Sequence, residues 1–531
     1  MSYSTTFRTL CSLFCALALV LAVPYARAQE IPTVEIVVDG FAIEGENPLT
    51  AEATAAVLDP FRGSYAGIDG LLGATDALQS ALNEAGYAFR RVILPPQTLS
   101  GGTVTLKIVA IEIAAVKVEG NQHFSDQNVL ASVPGIRPGM APERRSLSAA
   151  LELVNQHPSK TVSVRLRESD SADAVDAVID VEDQKPWRVF SGVNNIGSRQ
   201  TGRTRATFGF QYTNLFARDH SFTASYTTSP ENTDDVMQAG ASYELPLYFA
   251  NGKVSAFFSE SDVDVGNIAG FQVSGAGRFW GVSFTRLLAR HGAYAHEWTL
   301  GIQDRFFENT INFRTASTLI PVGNNVRSYP LTLSYRGKFE APSWIGDFDA
   351  SYSRNLQLGD NNNDRAYAAS RTEADAEWDV LRVNANLNYF LPRDWLLRTQ
   401  LNAQWTNEPL VSGEQFGLGG ERSIRGLDER AVLGDSGYRL GLELWTPPIP
   451  KTLGLRFLAF VDFGMLDRHD IQPGEVDTDT VSSAGLGLRW QWLNNVSVNL
   501  DYGHTLAEGE GSFGGDDAYG VKWHFRVFVS Y

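Results

Sequence analysis

VKWHFRVFVSY, residues 521–531, sorts its side chains into two rows. Val521, Trp523, Phe525, Val527, Val529 and Tyr531 make one apolar row. Lys522, His524, Arg526 and Ser530 stand opposite, with Phe528 as an apolar exception. Side chains alternate faces along a strand, so the pattern predicts a strand with an apolar medium on one side and water on the other.

The same alternation recurs back to residue 188 with hardly any helical period. It predicts sixteen strands, over 188–197, 203–215, 219–228, 236–247, 252–263, 275–287, 294–307, 326–337, 345–358, 373–390, 395–407, 436–447, 454–466, 480–492, 495–504 and 519–531. Connections after even-numbered strands are mostly short: Phe216–Arg218, Leu391–Asp394, Leu493–Asn494. Those after odd-numbered strands are mostly long and polar, as in Glu308–Asn325, Gly359–Thr372 and Glu408–Asp435. Short turns on one side and long loops on the other fit an antiparallel membrane barrel. A soluble β-sandwich gives no reason for that segregation.

The N-terminal end favours the same compartment. Residues 1–28 carry Arg8, an apolar core from Leu10 to Val23 and a small-x-small site at Ala26–Ala28, the pattern of a cleaved secretory signal. Both cysteines, Cys11 and Cys15, fall inside it, so the mature chain has no disulfide or thiol chemistry. Losing Arg8 and Arg27 takes the net charge from −17 to −19, which argues against a nucleic-acid partner. No later apolar run is long enough for a spanning helix.

All eleven tryptophans lie at or after Trp187, which places a boundary near Asp183–Trp187. Residues 31–184 read as two tandem α/β modules, 31–109 and 110–184, ahead of a barrel over 187–531. The first has the strand-like VEIVVDG (Val34–Gly40), a helix on Leu71, Ala74, Leu78, Leu82 and Ala85 stopped by Gly86, and strands Tyr87–Leu94 and Thr103–Val109. The second has AVKVEG (Ala115–Gly120), a helix after Ser125, another on Leu147, Ala150, Leu151 and Val154, and strands Thr161–Arg167 and Ala174–Val181. Catalytic patterns are missing: no HExxH, GxSxG or GxxxxGK[ST] occurs. DNNND (Asp360–Asp364) lacks the glycine and distal glutamate of a calcium loop and reads as an exposed outer loop. No enzyme, cofactor or metal is indicated.

GLGGERSIRGLDER (417–430) interrupts this chain between the eleventh and twelfth strands. Its glycines, Gly419 and Gly420 among them, permit a fold-back. Its arginines suit either a solvated surface or a loop turned into the lumen. An acid for Arg425 exists in the thirteenth strand, LRFLAFVDFGML. There Leu455, Phe457, Ala459, Val461, Phe463 and Met465 suit lipid, so Arg456, Leu458, Phe460, Asp462 and Gly464 face inward. An Arg425–Asp462 pair in the lumen would be bidentate and geometrically specific.

At these residues the chain resembles the two-partner secretion transporters, outer-membrane pores that export filamentous haemagglutinins and haemolysins. PPQ (Pro95–Gln97) before TVTLKIVA resembles the end of that family's first periplasmic POTRA domain, and VKVEGN (Val116–Asn121) the start of the second. EQFGLGGERSIRGLDE (Glu414–Glu429) resembles its loop motif, with Arg425 and Gly426 at the tip, and FVDFG (Phe460–Gly464) the strand motif whose aspartate, here Asp462, holds that arginine. Two features depart from the family pattern: Leu427 replaces an aromatic, and only a few residues separate Gln29 from the first strand, too few for a plug helix. Phe525, Val527, Val529 and Tyr531 resemble the C-terminal signal read by outer-membrane assembly machinery.

The resemblance implies an outer-membrane barrel of about sixteen antiparallel strands behind two periplasmic POTRA domains. It implies capture of an unfolded secreted protein bearing an N-terminal β-helical secretion domain. Further partners are outer-membrane lipid and, during biogenesis, the barrel assembly machinery. An insertase of other barrels shares the plan and is the first alternative; a passive porin is the second.

Overall fold

The computed structural model describes residues 35–98, 101–171, 173–199, 201–234, 236–261, 265–268, 271–274, 276–308, 311–315, 318–322, 325–471, 476–493, 495–509 and 520–531. The secretory signal lies outside them. Two compact units divide at Ile111/Glu112.

In the first unit, Gly40–Glu44 runs parallel to the central strand Thr103–Ala110, and Arg90–Ile93 runs antiparallel to it. Helix Asp69–Ala85 buries Leu71, Ala74, Leu78 and Leu82 against Val104, Leu106 and Ile108. Gly86 ends it at φ 101°, returning its N–H to Asn83 and Leu82. A helix not foreseen, Ala51–Leu58, starts at Thr50, whose hydroxyl accepts from the Ala53 N–H. The second unit opens with the same sheet: Glu112–Glu119 parallel to Ala174–Asp183, and Lys160–Glu168 antiparallel to it. Ser125 caps helix Asp126–Ser132, and helix Arg144–Val154 completes the layer.

Sixteen antiparallel strands of the second unit then close a barrel. In order they are Trp187–Asn194, Arg205–Leu215, His220–Thr228, Gln238–Leu247, Gly252–Ser261, Gly277–Leu287, Tyr294–Phe307, Pro330–Ala341, Trp344–Asn355, Asp379–Phe390, Leu396–Trp405, Ser436–Trp445, Arg456–Asp467, Thr478–Trp492, Val496–Ala507 and Val521–Ser530. Val326–Ser328 continues the eighth in the same register along the seventh. The ring closes where Arg526–Ser530 pairs with Phe190–Asn194. In the thirteenth strand Phe457 and Val461 are 47% and 49% exposed, against 3% for Leu458 and Phe460 and none for Asp462. That contrast is the lipid-out, lumen-in division of a membrane barrel.

Two details differ from the sequence reading. The tenth strand begins at Asp379 rather than 373, because the chain before it forms helix Asp364–Ser370, capped by the Asn363 side chain. DNNND is also not wholly exposed. Asn362 is buried, donating to the Leu356 and Leu358 carbonyls and accepting from Asn355.

The second α/β module is seated on the short-turn end of the barrel. Lys160 Nζ lies 2.7 Å from Asp219 Oδ2, in the turn after the second strand, and donates to Asn128 Oδ1 at 2.7 Å. Asn128 donates to Asp219 Oδ1 (2.9 Å), and the Tyr248 hydroxyl to Asp219 Oδ2 (2.6 Å). His157 Nε2 meets the Thr213 carbonyl at 2.7 Å.

Candidate functional site in the barrel lumen

The segment between the eleventh and twelfth strands turns inward. Its neck is a two-stranded sheet, Phe416–Leu418 with Val432–Gly434. Gly419 and Gly420 take φ of 114° and 103°, and the Gly420 N–H returns to the Ile424 carbonyl at 3.1 Å. Leu418, Ile424, Val432, Leu466 and Val481 form a small buried core beneath the loop, with Leu427 packed at its side. An aliphatic side chain fills that place without a ring. Gly464 leaves room for Leu418, since a Cβ there would stand 2.5 Å from Leu418 Cδ1.

This frame brings Arg425 and Asp462 together. Nε donates to Asp462 Oδ2 at 2.8 Å and Nη2 to Oδ1 at 3.0 Å, a bidentate pair, and the Arg425 backbone N–H adds 3.2 Å to Oδ2. Arg425 is 2% exposed and Asp462 is fully buried. The guanidinium lies over the Phe460 ring, 3.5 Å from its centroid. That contact explains an aromatic on an inward row.

The next residue, Gly426, sits against Gly503 and Thr505 of the fifteenth strand, and its N–H donates to His524 Nε2 of the sixteenth at 3.0 Å. Its φ is +102°, and a Cβ would stand 2.9 Å from Thr505 Oγ1. A Cβ on Gly503 would stand 2.6 Å from the Gly426 nitrogen, so two backbones touch here.

Several members of the site were not foreseen. Glu443 on the twelfth strand accepts from Arg425 Nη1 at 2.7 Å and from Trp445 Nε1 at 2.9 Å. Arg439 Nη2 reaches Asp462 Oδ1 at 3.0 Å, and Arg489 holds Asp501 through both oxygens at 2.8 and 2.9 Å. Asp501 is itself 3.8 Å from Arg425 Nη1. The only signal for them was their place on inward rows; nothing linear ties strands twelve, fourteen and fifteen to residue 425. Three carboxylates thus meet three guanidinium groups, and charge balance is what lets so many ions be buried together. Beside them lies a cavity of about 960 Å³ lined by Arg398, Gln400, Asn402, Asn384 and others. Among the described residues no three His, Cys, Asp or Glu side chains gather as a metal site.

The C-terminal residues lie elsewhere, on the closing strand. Val529 is 39% and Tyr531 75% exposed. Tyr531 exchanges backbone hydrogen bonds with Val189, and Asn195 bridges the Phe525 N–H and the Trp523 carbonyl.

Residues 36–110 match the ShlB-type POTRA domain. Among curated proteins, the outer membrane transporter CdiB of Escherichia coli is 23% identical over 461 residues, covering 85% of this chain and 76% of its own. The heme/hemopexin transporter protein HuxB of Haemophilus influenzae is 18% identical over 86% of this chain and 81% of its own. Among solved structures, CdiB from Escherichia coli superposes with a TM-score of 0.75 at 20% identity, covering 96% of this chain and 93% of that one. BamA from Haemophilus ducreyi lacking POTRA domains 1–3 reaches 0.50 at 15% identity, covering 94% and 100%. Residues 174–490 match the haemolysin secretion/activation proteins ShlB/FhaC/HecB, and with that match over more than half its length the chain belongs to their family.

Proposed function

We propose that the chain is an outer-membrane transporter of two-partner secretion in which the Arg425 tip, seated on Asp462, holds the inward loop in a transport-competent position. The observation that carries the role of the tip is the burial of Arg425 in the lumen with a bidentate partner on the barrel wall. Residues 31–109 and 110–184 serve as POTRA domains in the periplasm, and 187–531 as the pore. Gly419, Gly420 and Gly426 shape the loop, and Gly464 makes room beneath it. Phe525, Val527, Val529 and Tyr531 present the C-terminal signal to the barrel assembly machinery, and outer-membrane lipid covers the outward rows.

The cargo is an unfolded secreted protein with an N-terminal β-helical secretion domain. An extended segment of it adds to a POTRA sheet edge, where backbone hydrogen bonds supply affinity without a fixed sequence. In the second domain Glu112–Glu119 is irregular at Ile113–Val116, whereas Lys160–Glu168 pairs without a break. The latter is the better template, because bulges blunt an edge. Folding of the cargo outside draws it through; no nucleotide or cofactor takes part.

Deleting the gene tests the reading. Loss of one secreted protein, with the cell's other barrels at normal levels, is the expected result. A general loss of outer-membrane barrels would assign the chain to insertion instead.

A further inference from the structure

Eleven residues before Arg425 at the tip, ahead of the glycines, the loop carries a second buried acid, Glu414. The Glu414 side chain has no exposure; Oε2 accepts from Arg305 Nη1 at 2.6 Å on the seventh strand. Oε1 accepts from Ser328 Oγ at 3.0 Å, on the run that continues the eighth. Arg382 on the tenth strand stands 3.5 Å from Oε2, and its Nη2 and Gln404 Nε2 donate to the Glu414 carbonyl at 3.3 and 3.1 Å. Seven residues on, Glu421 accepts from Arg526 Nη2 at 2.7 Å on the sixteenth strand. Asp428 pairs with Lys522 of the same strand.

In a closed barrel of sixteen strands, the eighth and sixteenth are opposite walls. Seven residues reach at most roughly 25 Å when extended, and their two ends are held by opposite walls. We propose that residues 414–421 are a strap drawn across the pore, with Glu414 its anchor on the far wall and a positioning residue for the Arg425 tip. Acids at both ends meet arginines of the wall, so a single lost charge frees one end without removing the other. This inference rests on reading the segment as the transport loop.

Single-channel conductance of the full-length protein in phosphatidylcholine bilayers tests it, beside secretion in cells. Glu414→Ala is expected to raise the open conductance severalfold, because a strap held at one end swings out of the lumen. Glu414→Gln, which keeps one acceptor oxygen but loses the charge and the second acceptor, is expected to fall between. A purely structural role would lower the amount of assembled barrel but leave the conductance of assembled channels unchanged. If Glu414→Ala does not assemble, Arg305→Met decides, since it leaves the acid with Ser328 and Arg382. Parental conductance from the assembled Glu414→Ala variant, or from Arg305→Met in its place, overturns the strap. Normal secretion by Arg425 and Asp462 variants overturns the transport role of the tip without bearing on the conductances.

Discussion

Replacing Lys160 by Met tests how the second POTRA domain is held to the barrel. Its ammonium and the Asp219 carboxylate are 2.7 Å apart with side-chain exposures of 0% and 1%, so the variant strands a buried charge. Removing one member of such a pair costs about 3–5 kcal/mol. Asn128 and Tyr248 still donate to Asp219, which puts the cost near the lower bound. At about 1.4 kcal/mol per tenfold, ~3 kcal/mol loosens docking on the order of a hundredfold. Amide hydrogen exchange on the full-length protein reads this directly. Exchange should accelerate by that order at helix Asp126–Ser132, while the central strand Ala174–Asp183, held by the domain's own core, keeps its protection. Lys160→Met with Asp219→Leu removes both charges and should recover most of the protection, since an apolar pair of similar volume replaces a buried ion pair at little cost. Unchanged exchange in the single variant, or a double variant as loose as the single, would refute the reasoning.

The same joint should respond to pH. Burial is the main cause pushing the His157 pKa below its ordinary value, against the pull of Asp219. Its Nδ1 accepts from the Ser159 N–H at 3.2 Å, as a neutral ring does. The undocked state then binds the extra proton more readily, so docking is complete above about pH 6.5 and weakens as pH falls below it. Exchange at Asp126–Ser132 should follow that profile, and His157→Gln should flatten it. Gly426→Ala places a Cβ at φ +102° and 2.9 Å from Thr505 Oγ1, a strain of roughly 1–3 kcal/mol. Protease access to the loop should rise and secretion fall, with the barrel still assembled. Arg425→Lys keeps the charge but cannot make the two parallel bonds to Asp462 while also reaching Glu443, so it should secrete far below the parent chain.

The barrel was legible because lipid and water impose a two-residue period that recurs along its strands, with exceptions such as Phe528, Leu458 and Phe460. Legibility failed where neither medium sets the pattern. Helix Asp364–Ser370 is only seven residues long, and its Tyr367 packs with Trp378, Val326 and Leu410 in a small core built from distant loops. Alanine-rich Ala51–Leu58 offers little contrast between its faces. The pairing of Arg425 with Asp462 rested on two motifs, and each strand's parity placed its own acids inward. Parity does not tell which inward acids share a height in the barrel, so Glu443 and Asp501 emerged only in three dimensions. Their presence has a consequence for design. Exchanging Arg425 and Asp462 would set an acid beside Glu443 and Asp501 and an arginine beside Arg439, so a charge swap is not expected to rescue secretion.

Secretion of the partner protein by Arg425→Ala and Asp462→Ala chains, quantified against barrel assembled in the outer membrane, tests the central claim most directly. Each single variant is predicted to assemble and to lose most of its secretion, because each unseats the same loop tip. Normal secretion from both would contradict the account.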